Sequence, residues 1–219
     1  MDRQHKLVSE LHAWFRKNKR DFPWRKTGDP YLIWISEVML QQTQAKTAAP
    51  YYERWIVEFP TVESLARAPL SKVLKLWEGL GYYTRARNIH RAAKTIMERY
   101  HGKFPESFDE IHALPGIGRY TAGAIASIAF GIRKPVLDGN VIRILTRLFA
   151  INSQVNLTAT KKRLWKLAGD LVPVDHPGDV NQAMMELGAV ICLPDNPQCD
   201  SCPVSGLCLA CKERGEIRL

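Results

Sequence analysis

The chain has 219 residues, with 31 Lys+Arg against 22 Asp+Glu and a formal net charge of +9. Its 46% apolar and 24% charged content, with only 14 Gly and 13 Pro, excludes a collagen-like or largely disordered chain. A chain of this length buries a core without disulfide staples, as one large domain or two small ones.

The start, Met1-Asp2-Arg3-Gln4-His5-Lys6, has no apolar run behind its basic residues, so no signal peptide is expected. The longest apolar stretch, Ala122 to Ile132, is interrupted by Ser127 and stopped by Arg133. It is far shorter than the roughly 20 residues that span a bilayer. The expectation is an intracellular, cytoplasmic protein with no membrane contact. The positive charge points to a polyanionic partner, and nucleic acid is the commonest.

In chain order, Asp29-Pro30 caps a helix over Tyr31 to Gln42. Ser71 starts another that ends near Gly79 or Gly81. Thr84 to Tyr100 reads as a basic amphipathic helix closed by Gly102. Further helices fit Ser107 to Ala113, Arg119 to Phe130, Asn140 to Ala150, Thr158 to Leu171 and Asp179 to Ile191. No segment alternates as a strand does, so an all-α fold is expected. Arg133-Lys134-Pro135, after the helix stop at Gly131, marks a domain seam.

Two acidic residues stand in opposite settings. Glu37 lies in Tyr31-Leu32-Ile33-Trp34-Ile35-Ser36-Glu37-Val38-Met39-Leu40, a helix apolar on nearly every side and therefore buried. Burial disfavours the ionised carboxylate and suits a general acid; a Glu reaching solvent or pairing with an Arg is the plain alternative. Asp138, in Val136-Leu137-Asp138-Gly139-Asn140-Val141, precedes a helix whose backbone N–H groups favour the anion. It, or Asn140, could equally be an ordinary cap. One neutral acid and one lasting anion are what a glycosidic cleavage with an oxocarbenium-like transition state requires.

Leu114-Pro115-Gly116-Ile117-Gly118-Arg119 lies between two helices. Its glycines let backbone N–H groups approach a phosphate. Extended through Tyr120-Thr121-Ala122-Gly123, the string reads as a helix–hairpin–helix that grips DNA phosphates without regard to sequence. All five cysteines fall in the last 28 residues, and Cys192, Cys199, Cys202 and Cys208 form C-x6-C-x2-C-x5-C. Four thiolates from one short segment suit a zinc ion or an iron–sulfur cluster, and Cys211 is left over.

Taken together, Ser36-Glu37-Val38-Met39-Leu40-Gln41-Gln42-Thr43-Gln44, Gly79-Leu80-Gly81-Tyr82-Tyr83, the hairpin string, Leu137-Asp138-Gly139-Asn140-Val141 and Asn181-Gln182-Ala183-Met184-Met185 resemble the MutY-type adenine DNA glycosylases of the endonuclease III superfamily. The cysteine tail resembles that superfamily's 4Fe–4S motif. The resemblance covers roughly residues 5 to 210. It implies a six-helix barrel lobe over residues 22–133 carrying the hairpin. It also implies a cluster lobe of residues 1–21 plus 134–219, with one 4Fe–4S cluster held by the four cysteines. DNA and the extruded base would lie between the lobes.

The resemblance further implies roles. Glu37 would protonate the adenine ring, Asp138 stabilise the sugar cation, Asn140 hold that site and Tyr120 touch the reaction centre. Gln41, Gln42 and Tyr82 would contact or wedge into the DNA stack, and Leu114, Gly116, Gly118 and Arg119 would form the hairpin grip. Trp24, Arg25, Gln182 and Glu186 would line the base pocket. Relatives that also cut the strand carry Lys where Tyr120 stands, so a monofunctional enzyme is expected, acting as a monomer on duplex DNA with adenine opposite 8-oxoguanine or guanine.

Three departures bear on this. No counterpart of the C-terminal domain that reads 8-oxoguanine in most relatives follows before Leu219, so a catalytic core without that domain is expected. The loop between Cys192 and Cys199 lacks the basic residues relatives use on phosphates, and Arg85, Arg87, Arg91 and Lys94 are either substitutes or a solvated face. Single-domain relatives remove thymine or uracil opposite guanine; the Gln41-Gln42 pair favours adenine. An iron–sulfur DNA-binding module without catalysis, or a zinc-stabilised helical domain, completes the alternatives.

Overall fold

The computed structural model describes residues 2–216. Its α-helices, in chain order, are α1 (Arg3–Asn18), α2 (Pro30–Leu40), α3 (Ala45–Glu58), α4 (Val62–Arg67), α5 (Leu70–Trp77) and α6 (Thr84–Tyr100). They continue as α7 (Phe108–His112), α8 (Arg119–Phe130), α9 (Gly139–Leu148), α10 (Thr158–Leu171), α11 (Pro177–Val190) and α12 (Leu209–Glu216). Among the described residues there is no strand, as an all-α fold requires. None of their helices is long and apolar enough to cross a membrane.

The chain divides into two units. One is continuous, from Asp21 to Phe130, and the other joins the first 20 residues to the chain from Gly131 onward.

In the continuous unit, α2 starts where Asp29 accepts a hydrogen bond from Tyr31 N at 2.8 Å and Pro30 occupies the first turn. The helix ends at Leu40, two residues before the expected Gln42, because Gln41 leaves the helical region at ψ 114° and Gln42 then turns left-handed at φ 55°. Helix α6 has the expected bounds and closes on His101 at φ 53°, one residue ahead of Gly102. The core centres on Trp55, edge-on to Phe59 at 5.2 Å and to Trp77 at 5.5 Å. Trp55 Nε1 donates to Tyr31 Oη at 3.2 Å, and that hydroxyl donates to Phe59 O at 2.7 Å. The phenol is thereby satisfied away from water, and each large side chain buried here contributes about 1.5–3 kcal/mol. Helices α3 and α4 lie where spacing gave none. Pro50 inside α3 masks its pattern, and α4 is six residues long, held by a Thr61–Ser64 capping box.

In the discontinuous unit, Leu7, Leu11 and Phe15 of α1 bury against α11, which also packs on α9. Ile144, Leu145 and Leu148 face inward from α9, and Ala183, Met184 and Leu187 from α11. Arg20, just beyond α1, makes a two-pronged bond to Glu186 on α11, Nε to Oε1 and Nη2 to Oε2, each at 2.8 Å.

Candidate active site and nucleic-acid interface

Glu37 is 5% exposed on α2, where Trp34, Ile35, Val38 and Met39 are buried around it. The Tyr120 hydroxyl, from the first turn of α8, donates to Glu37 Oε2 at 2.8 Å. Helices α2 and α8 pack directly, and that contact joins residues 83 apart in sequence. The bond pairs the carboxyl with a phenol, which sequence reading did not foresee. Beside it, Gln41 Nε2 donates to Thr121 Oγ1 at 3.2 Å.

The hairpin runs from α7 to α8. Leu114 and Ile117 are buried beneath it, while Gly116, Gly118 and Arg119 are exposed. Gly116 stands at φ +77°, a conformation that favours glycine, and packs directly on Asn88 of α6. Gln42 and Tyr82 are both exposed on left-handed backbone, at φ 55° and 47°. Trp24 is buried, stacked on Phe22 at 4.8 Å and edge-on to Tyr52 at 5.4 Å, and the Arg25 guanidinium lies 5.5 Å from the Phe22 ring centroid.

The basic face of α6 splits. Arg87, Arg91 and Lys94 are exposed, but Arg85 is buried and spends its donors on backbone carbonyls. Arg85 therefore replaces no phosphate contact; burial holds its guanidinium below the usual arginine value, with Tyr82 opposing that shift.

In the discontinuous unit, Asp138 caps α9. Its Oδ1 accepts from Val141 N at 2.8 Å and its Oδ2 from Asn140 Nδ2 at 3.1 Å. The cap is thus Asp138, and Asn140 is the second helical residue. Asn140 Oδ1 accepts in turn from Arg143 Nη2 at 2.8 Å. Arg143 also donates to Gly188 O and Cys192 O, both at 2.7 Å. Gly188 admits Asn140 this closely, since a Cβ there would lie 2.6 Å from Asn140 Cβ. Asn181 Nδ2 donates to Lys134 O at 2.8 Å, tying α11 to the segment that leads into Asp138. Gln182 is half-buried on the same helix, and Glu186, fully buried, is gripped by Arg20. Arg143 and Arg147 were missed by sequence reading; the signal available was arginine three and seven residues after Asn140, on one side of an apolar-faced helix.

The five cysteines line one cavity of about 50 Å³, with Arg147, Ile191 and Pro197 among its other walls. Arg147 Nη1 donates to Cys192 Sγ at 3.2 Å and to Leu193 O at 2.6 Å, and Arg147 Nη2 to Pro194 O at 2.6 Å. Burial, with smaller contributions from neighbouring cysteines, pushes the Cys202 thiol up to about 11 and raises that of Cys208. Among the described residues no group of His, Cys, Asp or Glu is placed to hold a single metal ion.

The HhH-GPD superfamily profile, which describes base excision DNA repair proteins, matches residues 35–169. The chain belongs to the HhH-GPD superfamily. That stretch contains Glu37, the hairpin, Tyr120 and Asp138. The adenine DNA glycosylase of Rattus norvegicus is 47% identical over 95% of this chain and 42% of its own length. The chain spans between 38% and 56% of the length of three such relatives. Among solved structures, a thermostable thymine-DNA glycosylase superposes with TM-score 0.87 at 33% identity, covering 96% of this chain and 97% of that one. An endonuclease III–DNA complex shares the fold, with TM-score 0.80 at 24% identity over 99% of each chain.

Proposed function

We propose that this HhH-GPD chain carries the catalytic part of a monofunctional adenine DNA glycosylase, acting on adenine paired with 8-oxoguanine or guanine in duplex DNA. The observation that carries the reading is the buried Glu37 carboxyl held by the Tyr120 hydroxyl, on a chain 47% identical to a curated adenine DNA glycosylase.

In this reaction Tyr120 fixes Glu37 Oε2, and the acidic proton on the other oxygen passes to a ring nitrogen of the extruded adenine. The electron pair of the N-glycosidic bond leaves with the base. Asp138, its carboxylate oriented by Val141 N and Asn140, stabilises the cationic deoxyribose until water adds at C1′ and loses a proton. The product is an abasic site. A phenol at position 120 forms no Schiff base, so the strand stays intact.

The hairpin at residues 114–119 grips backbone phosphates through exposed amides and Arg119, while Gln41, Gln42 and Tyr82 enter the stack from which the base has left. By the resemblance, Trp24, Arg25 and Gln182 contact the extruded base, whereas Glu186, buried with both carboxylate oxygens on Arg20, holds the end of α1 to α11. The continuous unit acts as the barrel lobe and the discontinuous unit as the cluster lobe.

Cys192, Cys199, Cys202 and Cys208 fit a 4Fe–4S cluster: four thiols converge on one cavity, and Arg147 beside Cys192 offsets the charge of ligating thiolates. When bound, such a cluster cross-links the C-terminal segment and adds its binding energy to folding. Cys211 reaches the same cavity as a fifth thiol.

A thymine glycosylase acting on T·G pairs is the second reading, favoured by the 33% identical thymine-DNA glycosylase matched over nearly its whole length. Base release from A·8-oxoguanine, A·G and T·G duplexes, before and after alkali, separates the two. Adenine release with alkali-dependent breakage is expected. In the Glu37→Gln variant release falls at least about 10²-fold while duplex affinity persists. Thymine release with adenine untouched overturns the adenine assignment, and DNA binding with no release of either base leaves a binding module.

A further inference from the structure

The Arg85 guanidinium joins two segments of the continuous unit. Its Nη1 donates to Val38 O at 2.9 Å, Met39 O at 3.1 Å and Gln41 O at 2.6 Å. These are carbonyls at and just beyond the end of α2, where the backbone supplies them only a 3.4 Å bond from Gln41 N to Val38 O. Its Nη2 donates to Leu80 O at 2.9 Å and Gly81 O at 3.3 Å. The Trp77 and Tyr82 ring centroids lie 5.2 and 5.6 Å from Cζ, on the same guanidinium.

The Arg85 Nε atom is buried with no hydrogen-bond partner, and no carboxylate contacts the group among the described residues. A cation taken out of water without a counter-ion is costly, so what it holds must need that geometry. Both segments carry non-glycine residues on left-handed backbone, Gln42 and Tyr82, and Tyr82 is 64% exposed. Strain of this kind persists only where the surroundings enforce it. Lysine, a point charge with no planar fork, could not reach both sets of carbonyls.

We propose that Arg85 is a positioning residue that locks residues 41–43 and 80–82 together, so that Gln41 and Tyr82 meet the DNA stack already ordered. The inference rests on the glycosylase reading for its consequence but not for its geometry. Ordering these loops before binding removes an entropic cost from the step in which the base leaves the stack.

Arg85→Lys keeps the charge and removes the fork. Amides of Gln41, Thr43 and Leu80, bonded to Val38 O, Leu40 O and Trp77 O, are expected to exchange hydrogen faster than in the native protein, with the rest of the unit unchanged. Single-turnover base release is expected to drop about 10²-fold on paired duplexes. In a Gln41→Ala/Tyr82→Ala background the same change should cost no more than about threefold, because both levers it works through are gone. Unchanged exchange at both segments, or rate losses that multiply independently, overturns the proposal. If the native protein releases no base from any duplex, the glycosylase reading fails while hydrogen exchange still decides the positioning role. Arg85→Gln is the second variant; loss of the helical signal in both, even in the cold, overturns it as well, since Arg85 would then support the whole unit.

Discussion

Replacing Gly116 by alanine tests the hairpin at its tightest point. Gly116 lies at φ +77°, and a Cβ there would stand 2.5 Å from Asn88 Cβ, 2.6 Å from Nδ2 and 2.7 Å from Cγ. The left-handed backbone costs a non-glycine residue about 1–2 kcal/mol. The closest obstacle is a Cβ anchored on α6 and not a flexible chain end, so relief requires the hairpin or the helix to shift, a further cost of about 1–3 kcal/mol. The sum is about 2–5 kcal/mol, which for a chain of this size lowers the melting temperature by roughly 4–20 °C. Urea unfolding of the purified protein, followed by circular dichroism, reads it.

Gly118 supplies the control: it lies outside the left-handed region and a Cβ there meets nothing within 4 Å. Gly118→Ala should stay within about 0.5 kcal/mol of the native protein. Asn88→Gly added to Gly116→Ala should return the steric share, less about 1 kcal/mol for glycine inside a helix. Equal stability of the two alanine variants would refute the packing argument. Should Gly116→Ala prove less stable yet bind duplex DNA with native affinity, the hairpin would not be the phosphate grip.

Arg20→Met strips two charged bonds from the buried Glu186, whose side chain is 1% exposed, and should cost about 3–5 kcal/mol. Arg20→Met with Glu186→Leu should recover most of that in the same unfolding assay; a double variant as weak as the single would show that the carboxylate was not the source. His90 lies below the ordinary histidine value, chiefly because burial penalises its charged form, with Lys94 adding repulsion against hydrogen bonds to Ala68 and Ala66. The unfolded chain therefore takes up this proton first, and stability conferred by neutral His90 is present above roughly pH 6.5 and lost on acidification below it. His90→Gln should flatten the fall in unfolding free energy between about pH 7 and pH 5; an unchanged slope would assign that fall to other groups.

Much of the fold is written locally. Asp29-Pro30 sets the start of α2, and the bounds of α6, α8 and α10 follow from their spacing and stop signals, whereas the choice between Asp138 and Asn140 as the cap of α9 fell to the structure. Burial of Glu37 was equally legible, because a helix apolar on all sides leaves its carboxyl nowhere else to go. The pattern failed for α3 and α4, where an internal proline and a length of six residues leave too little periodicity to read.

What the amino-acid order determined by itself was the helical class, the cap of α2, the clustering of thiols and the contrast between two carboxyl environments. Tertiary structure alone decided the partners: Tyr120 on Glu37, Arg20 on Glu186, Arg143 between Asn140 and Cys192 O, and Arg85 turned inward from a helix that read as a basic face. The reason is range. Caps and periodicity act over one or two turns of chain, whereas a directional hydrogen bond across 83 residues exists only once packing has set two helices side by side.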